Sequence, residues 1–162
     1  YGNGNGFGRE PGTEVLSSAP TDVPPSLQAA HPELGTSAFG VQRARSESGE
    51  PYQLTITYVP ESTSRKLGMR RGSSGGLEKL ARDVRDVEQV TTAVAADAIT
   101  AKQLKVAIGA PLLRIRAALL GDEGELLAVN ESLLRPDRAH LHDRLRRKRA
   151  GKASARWERQ SA

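Results

Sequence analysis

Residues 42–60 read QRARSESGEPYQLTITYVP. Polar and apolar residues alternate on either side of Ser48-Gly49, and Pro60 closes the run. Alternation with period two is the pattern of a half-buried strand, and Ser-Gly supplies turn chemistry. The stretch therefore predicts a β-hairpin, with strands over 38–47 and 52–59. Alternate strand residues share a face. Arg43, Arg45, Thr55 and Thr57 fall on one face of this hairpin, and Leu54, Ile56 and Tyr58 on the other. The second is a core face. The first is too polar to be core.

The design recurs downstream. Residues 112–136 read LLRIRAALLGDEGELLAVNESLLRP and predict strands over 111–120 and 125–134, turning at Gly121-Asp122-Glu123-Gly124. Aligning the turns, Gly49-Glu50 on Gly124-Glu125, brings Ala118, Leu120, Asn130 and Ser132 to the positions of the polar face. Arg116, Ala128 and Leu134 flank them. Apolar wall with a few fixed polar groups is the composition of a ligand pocket. The reading is that the two hairpins, brought together by a pseudo-two-fold, form two facing walls of one cleft.

The rest of the chain fits around this pair. Tyr1 to Gly12 (YGNGNGFGREPG) has linker composition, and 13–18 reads as a short edge strand. A short helix is expected over 26–31 and a basic loop over 62–72. After Ser73-Ser74-Gly75-Gly76, Leu77, Leu80, Ala81, Val84 and Val87 recur at helical spacing, so an amphipathic helix capped by one of the serines is expected. A Val/Thr-rich strand over 87–95, a helix over 97–106 and a last strand over 139–145 complete the list. The class is α+β: about six mostly antiparallel strands with two or three helices on one side.

Composition sets limits. The chain has 162 residues, enough for one modest core, and aromatic residues are 4%, so Leu, Ile, Val and Ala must build it. No Cys is present, which excludes disulfides and thiolate chemistry and fits a cytoplasmic setting. No apolar run has membrane-spanning length, so no membrane partner is expected. The net charge of +5 is concentrated in the tail, where Arg144, Arg146, Arg147, Lys148, Arg149, Lys152, Arg156 and Arg159 face one acid, Glu158. Such a tail can hold nucleic acid electrostatically, with Trp157 to stack on a base. It is read here as a solvated, disordered C-terminus over 146–162. His140 and His142 would share a strand face, but no third ligand accompanies them, so they are read as surface residues and no metal or cofactor is expected. No serine sits in a nucleophile elbow.

The residues quoted from the two hairpins resemble the UTRA domain, the effector-binding domain of HutC-type members of the GntR transcription regulators. The resemblance rests on Arg43-Ala44-Arg45, Gly49-Glu50-Pro51, Tyr58-Val59-Pro60, residues 112–116, Gly124-Glu125 and Arg135-Pro136-Asp137-Arg138, and covers roughly 13–145. It implies a fold similar to chorismate lyase, a small-molecule sensor and a homodimer. The predicted pocket face, with Thr, Asn, Ser, Ala, Leu and arginines and no general acid or base, argues for binding without turnover and so against an enzyme. The resemblance also implies contact with operator DNA through a winged helix preceding Tyr1, so that 1–12 reads as a cut linker.

The resemblance implies that Arg43, Arg45 and Ser74 (or Ser73) hold an anionic group, which planar arginine donors and a helix N-terminus suit. It departs from the family's sugar-phosphate binders at Thr55, Ala128 and Leu134, where acidic or tyrosine positions are replaced. An unpartnered buried hydroxyl costs about 1–3 kcal/mol. The expected effector is therefore not an amino-sugar phosphate but a more apolar molecule with one anionic or polar end. The ligand-binding set is Arg43, Arg45, Thr55, Ser74, Arg116, Ala128, Asn130, Ser132 and Leu134. The alternative is a lyase-like enzyme acting on an aromatic acid held by Arg43 or Arg116, which would need a general acid or base in the pocket.

Overall fold

At the turn of the first hairpin, Ser48 and Gly49 both have positive φ, 50° and 78°. Two such residues between Glu47 and Glu50, which pair across the ladder, make the two-residue turn whose twist matches its strands. The flanking strands are β2 (Ser37–Glu47) and β3 (Glu50–Val59). The computed structural model describes residues 12–142, together with the backbone of two strands beyond them. The remaining elements are β1 (Thr13–Asp22), α1 (Pro25–Ala30), a 3-10 turn (Pro32–Leu34), α2 (Glu61–Lys66), α3 (Gly76–Asp83), β4 (Asp86–Ala95), α4 (Ala98–Leu104), β5 (Pro111–Leu120) and β6 (Leu126–Leu134). In the basic tail, β7 (Arg144–Lys148) and β8 (Arg156–Gln160) pair with each other as a separate two-stranded sheet. The rest of the expected linker and tail lies outside the described residues.

The six strands β1 to β6 form one antiparallel sheet in the order β1-β2-β3-β6-β5-β4. Its halves, β1-β2-β3 and β4-β5-β6, meet where β3 pairs with β6. The two hairpins therefore lie side by side as one continuous surface and are not opposed walls. Pairing β3 to β6 satisfies the backbone groups of both strands, which two separate walls would leave at free edges.

Helices cover both faces, where the sequence suggested one. On the front face α3 crosses one end of the sheet, and Leu77 and Leu80 pack with Phe39, Val41, Val59, Leu119 and Ala128. On the back face α1 and the 3-10 turn bring Val23, Leu27 and Leu34 against Ala38, Tyr58 and Val129. Further along the back, Ala101 and Leu104 of α4 meet Ala44, Leu54 and Leu112. A sheet with apolar residues on both faces needs cover on both.

Local expectations were corrected in detail. The strand β1 runs to Asp22, past the expected end at Ser18. The loop over 62–72 contains α2, where Glu61 and Arg65 face each other one turn apart at 3.2 Å. No serine side chain caps α3; its N-cap is Gly75, whose N–H donates instead to Ser73 Oγ at 3.2 Å. That helix stops at Asp83 because Val84 is extended, ready for β4. No strand forms over 139–142, so His140 and His142 do not share a strand face.

Candidate ligand-binding site

Register decides which side chains share the front face. Arg43 pairs with Thr55, Val41 with Thr57 and Arg45 with Gln53. Across the junction, Thr55 pairs with Ser132, Thr57 with Asn130 and Gln53 with Leu134. One strand further, Ile115 pairs with Ser132, Ala117 with Asn130, Leu113 with Leu134 and Leu119 with Ala128. Away from α3 the front face is thus polar at Arg43 and Arg45 of β2, at Gln53, Thr55 and Thr57 of β3 and at Asn130 and Ser132 of β6, and apolar on β5.

The polar groups form a strip beyond the edge of the α3 cluster. Arg43, Thr55, Thr57, Asn130 and Ser132 are all buried, between 0% and 7% exposed, which sets them apart from ordinary solvent-facing sheet residues. Arg43 Nη2 donates to Thr57 Oγ1 at 2.9 Å, and Thr57 donates to Asn130 Oδ1 at 2.7 Å. Beside this, Gln53 Nε2 donates to Thr55 Oγ1 at 2.9 Å, and the Thr55 and Ser132 hydroxyls lie 2.8 Å apart.

The first relay has a fixed sense. A guanidinium has no acceptor, so Thr57 must accept from Arg43. A carbonyl oxygen has no proton, so Thr57 must donate to Asn130. With Oδ1 turned toward Thr57, the two N–H donors of the Asn130 amide lie on the other side of the carboxamide. The strip therefore joins a buried positive charge to oriented amide and hydroxyl donors, bordered by Ile115, Ala117 and Leu134, each buried. Chemically this surface suits an acceptor-rich polar head attached to an apolar body.

Of the residues singled out by sequence, Arg43, Thr55, Asn130, Ser132 and Leu134 are brought together on this face, and Arg45 stands at its end opposite Gln53. Ser74 precedes α3 on the front side, and its carbonyl accepts from Leu77 N–H at 3.0 Å. Ala128 is fully buried in the cluster under α3, so it packs the helix onto the sheet.

Arg116 is a correction. It lies on the back face, where its Nε donates to Glu131 at 2.6 Å and its Nη2 to Ser26 of α1 at 3.0 Å. Ala118 and Leu120, grouped with it by the turn alignment, are also displaced from the front: Ala118 pairs with Val129, and a register shift separates Leu119 from Leu120. Counting alternation from the turn does not survive that shift. Near this ion pair, burial and the Glu131 charge raise the pKa of Tyr58, while Arg116 opposes them.

Thr57, Gln53, Ile115 and Ala117 were left out of the sequence-derived set. Thr57 is the centre of the relay, and alternation had already put it on the right face. Ile115 and Ala117 needed the β5–β6 register. Among the described residues no group of three or more His, Asp or Glu side chains could hold a metal ion.

The model of the UTRA domain family matches residues 7–140. The chain belongs to the UTRA domain family. Solved structures agree in fold. The C-terminal domain of the histidine utilization repressor from Pseudomonas syringae pv. tomato superposes with a TM-score of 0.67 at 16% identity, covering 82% of this chain and 96% of that one. A GntR-family transcriptional regulator from Enterococcus faecalis gives 0.62 at 17% identity, covering 80% and 97%. A ligand-binding domain assigned to a GntR-family regulator of Bordetella bronchiseptica gives 0.66 at 19% identity, covering 83% and 88%. No curated protein sequence matches the chain.

Proposed function

We propose that this domain senses a small molecule with an anionic or strongly accepting head and an apolar body, and passes its presence to a GntR-type transcription regulator. The observation that carries this reading is the buried strip Arg43–Thr57–Asn130 with its neighbouring Thr55–Ser132 pair. The head would lie against the Asn130 and Ser132 donors within the field of Arg43. The body would cover Ile115, Ala117 and Leu134. Arg45 and Ser74 would extend the polar contact at the ends of the face.

Binding without turnover fits the same residues. Among the described residues, the strip itself offers amide, hydroxyl and guanidinium groups, and none of these is a general acid or base near neutral pH. The sensor would act in the cytoplasm as a homodimer, with operator DNA contacted by a winged helix N-terminal to this domain. No helix among the described residues is long and apolar enough to cross a membrane.

The test begins with native mass spectrometry of the purified protein and denaturing release of any bound molecule. A calorimetric panel of carboxylates, phosphonates and sugar phosphates follows. Arg43→Met should weaken the best ligand by about tenfold or more, the scale of one lost charge-assisted contact. Arg116→Met, on the opposite face, should leave affinity unchanged. Equal losses from both substitutions, or none from Arg43→Met, would reject the site.

A further inference from the structure

The sheet ends in two edges of different character. At one, β1 carries Pro20 and a register shift between Val15 and Ser17, devices that keep an edge from recruiting another strand. At the other, β4 pairs with β5 through ten consecutive residues without a shift. Its outer half, Val90-Thr91-Thr92-Ala93-Val94, holds no charge, proline or glycine. Val87 is 50% and Val90 64% exposed. Among the described residues this edge has no strand partner, and a long, regular, open strand edge is a template for strand addition.

We propose that the free edge of β4 pairs antiparallel with β4 of a second copy, joining two six-stranded sheets into one across a two-fold axis. The inference rests on reading the protein as a homodimeric sensor and assigns the interface of that dimer. Symmetry restricts the register. Paired residues must share a face, so position sums are even and one residue meets its own copy. Centring on Glu88 sets like charges together. Centring on Val90 sets the most exposed valine of the strand against itself and puts Glu88 opposite Thr92 of the partner.

That register also matches charge. Arg114 sits on β5 directly behind Thr92, and its Nε reaches Thr92 Oγ1 at 3.3 Å, carrying the guanidinium toward the edge. Glu88 of the second copy would meet it there. The two-fold makes this pair twice.

The experiment uses the full chain. Mass is measured by sedimentation equilibrium for the wild type, Glu88→Arg, Arg114→Glu and the double reversal. Each single reversal is expected to raise the dimer Kd by about tenfold, two weak pairs being turned repulsive at once, and the double reversal to restore it. The chain contains no Cys, so single substitutions report register directly. Val90→Cys should cross-link under mild oxidation or with a short bis-maleimide, and Val94→Cys should not. A wild type that stays monomeric, or a dimer indifferent to both charge reversals and uncross-linked at position 90, would overturn the proposal. The same samples are titrated with the carboxylate and phosphonate panel. A monomer that still binds sinks only the edge pairing, whereas a β4-paired dimer that binds nothing sinks only the sensor reading.

Discussion

Thr57 is an ordinary threonine in sequence and the hinge of the candidate site in space. Its hydroxyl both receives from Arg43 and gives to Asn130. Thr57→Val keeps the shape and removes both bonds, leaving a buried carboxamide oxygen without that donor. A stability loss of about 1–3 kcal/mol, read from a lowered urea midpoint at unchanged slope, is expected, together with weaker effector binding. Unchanged stability would mean that the relay is not formed. At this scale the sequence was legible in part. The hydrophobic alternation of 54–58 placed Thr55 and Thr57 correctly because one face of β3 is apolar throughout. Arg116 was misplaced because its own strand reads Leu-Arg-Ile-Arg-Ala-Ala-Leu-Leu, with apolar residues on both faces, so no local pattern says which way the arginines turn.

Among elements, the hairpins and α4 followed their local signals most closely. Asp97 caps α4 by accepting from Thr100 N–H at 2.7 Å, and that hydrogen bond holds its carboxyl below the ordinary carboxylate range. A lowered folded pKa means that the carboxylate contributes stability above the ordinary value, near ~3.9, and loses it as pH falls through the folded value. Asp97→Ala should therefore cost about 1 kcal/mol at pH 7. Its thermal unfolding curve should converge on that of the wild type as the solution is acidified. A pH-independent gap would assign the loss to something other than the cap. The helix α3 was legible through Leu77 and Leu80 but not in its ends. Its start has no side-chain cap, and its last predicted residues, Val84 and Val87, are claimed by the turn into β4 and by β4 itself. Tertiary demand overrode helical periodicity there.

For the molecule as a whole, the sequence revealed a duplication but not how its halves join. Two hairpins of one pattern are compatible with facing sheets or with one sheet, and only the β3–β6 pairing distinguishes them. Arg135 is a second long-range tie. From the end of β6 it donates to Leu104 O of α4 at 3.2 Å and Pro51 O of β3 at 3.4 Å, and holds Asp137 through two bonds at 2.7 and 3.1 Å. The pairing holds the Asp137 carboxyl below its ordinary range. Arg135→Met should cost about 1–3 kcal/mol in chemical denaturation by stripping two carbonyls of their donor. An undiminished midpoint would show that water replaces the arginine.

Ser18, in the middle of β1, gives that strand a mechanical role. Its hydroxyl donates to Ser73 O at 2.6 Å, and its carbonyl accepts from Gly72 N–H at 3.0 Å. These bonds rivet the first strand of the sheet to the loop that launches α3. A push on the start of that helix is therefore a push on β1, and Thr13, where the strand begins, stands at the far end of the lever.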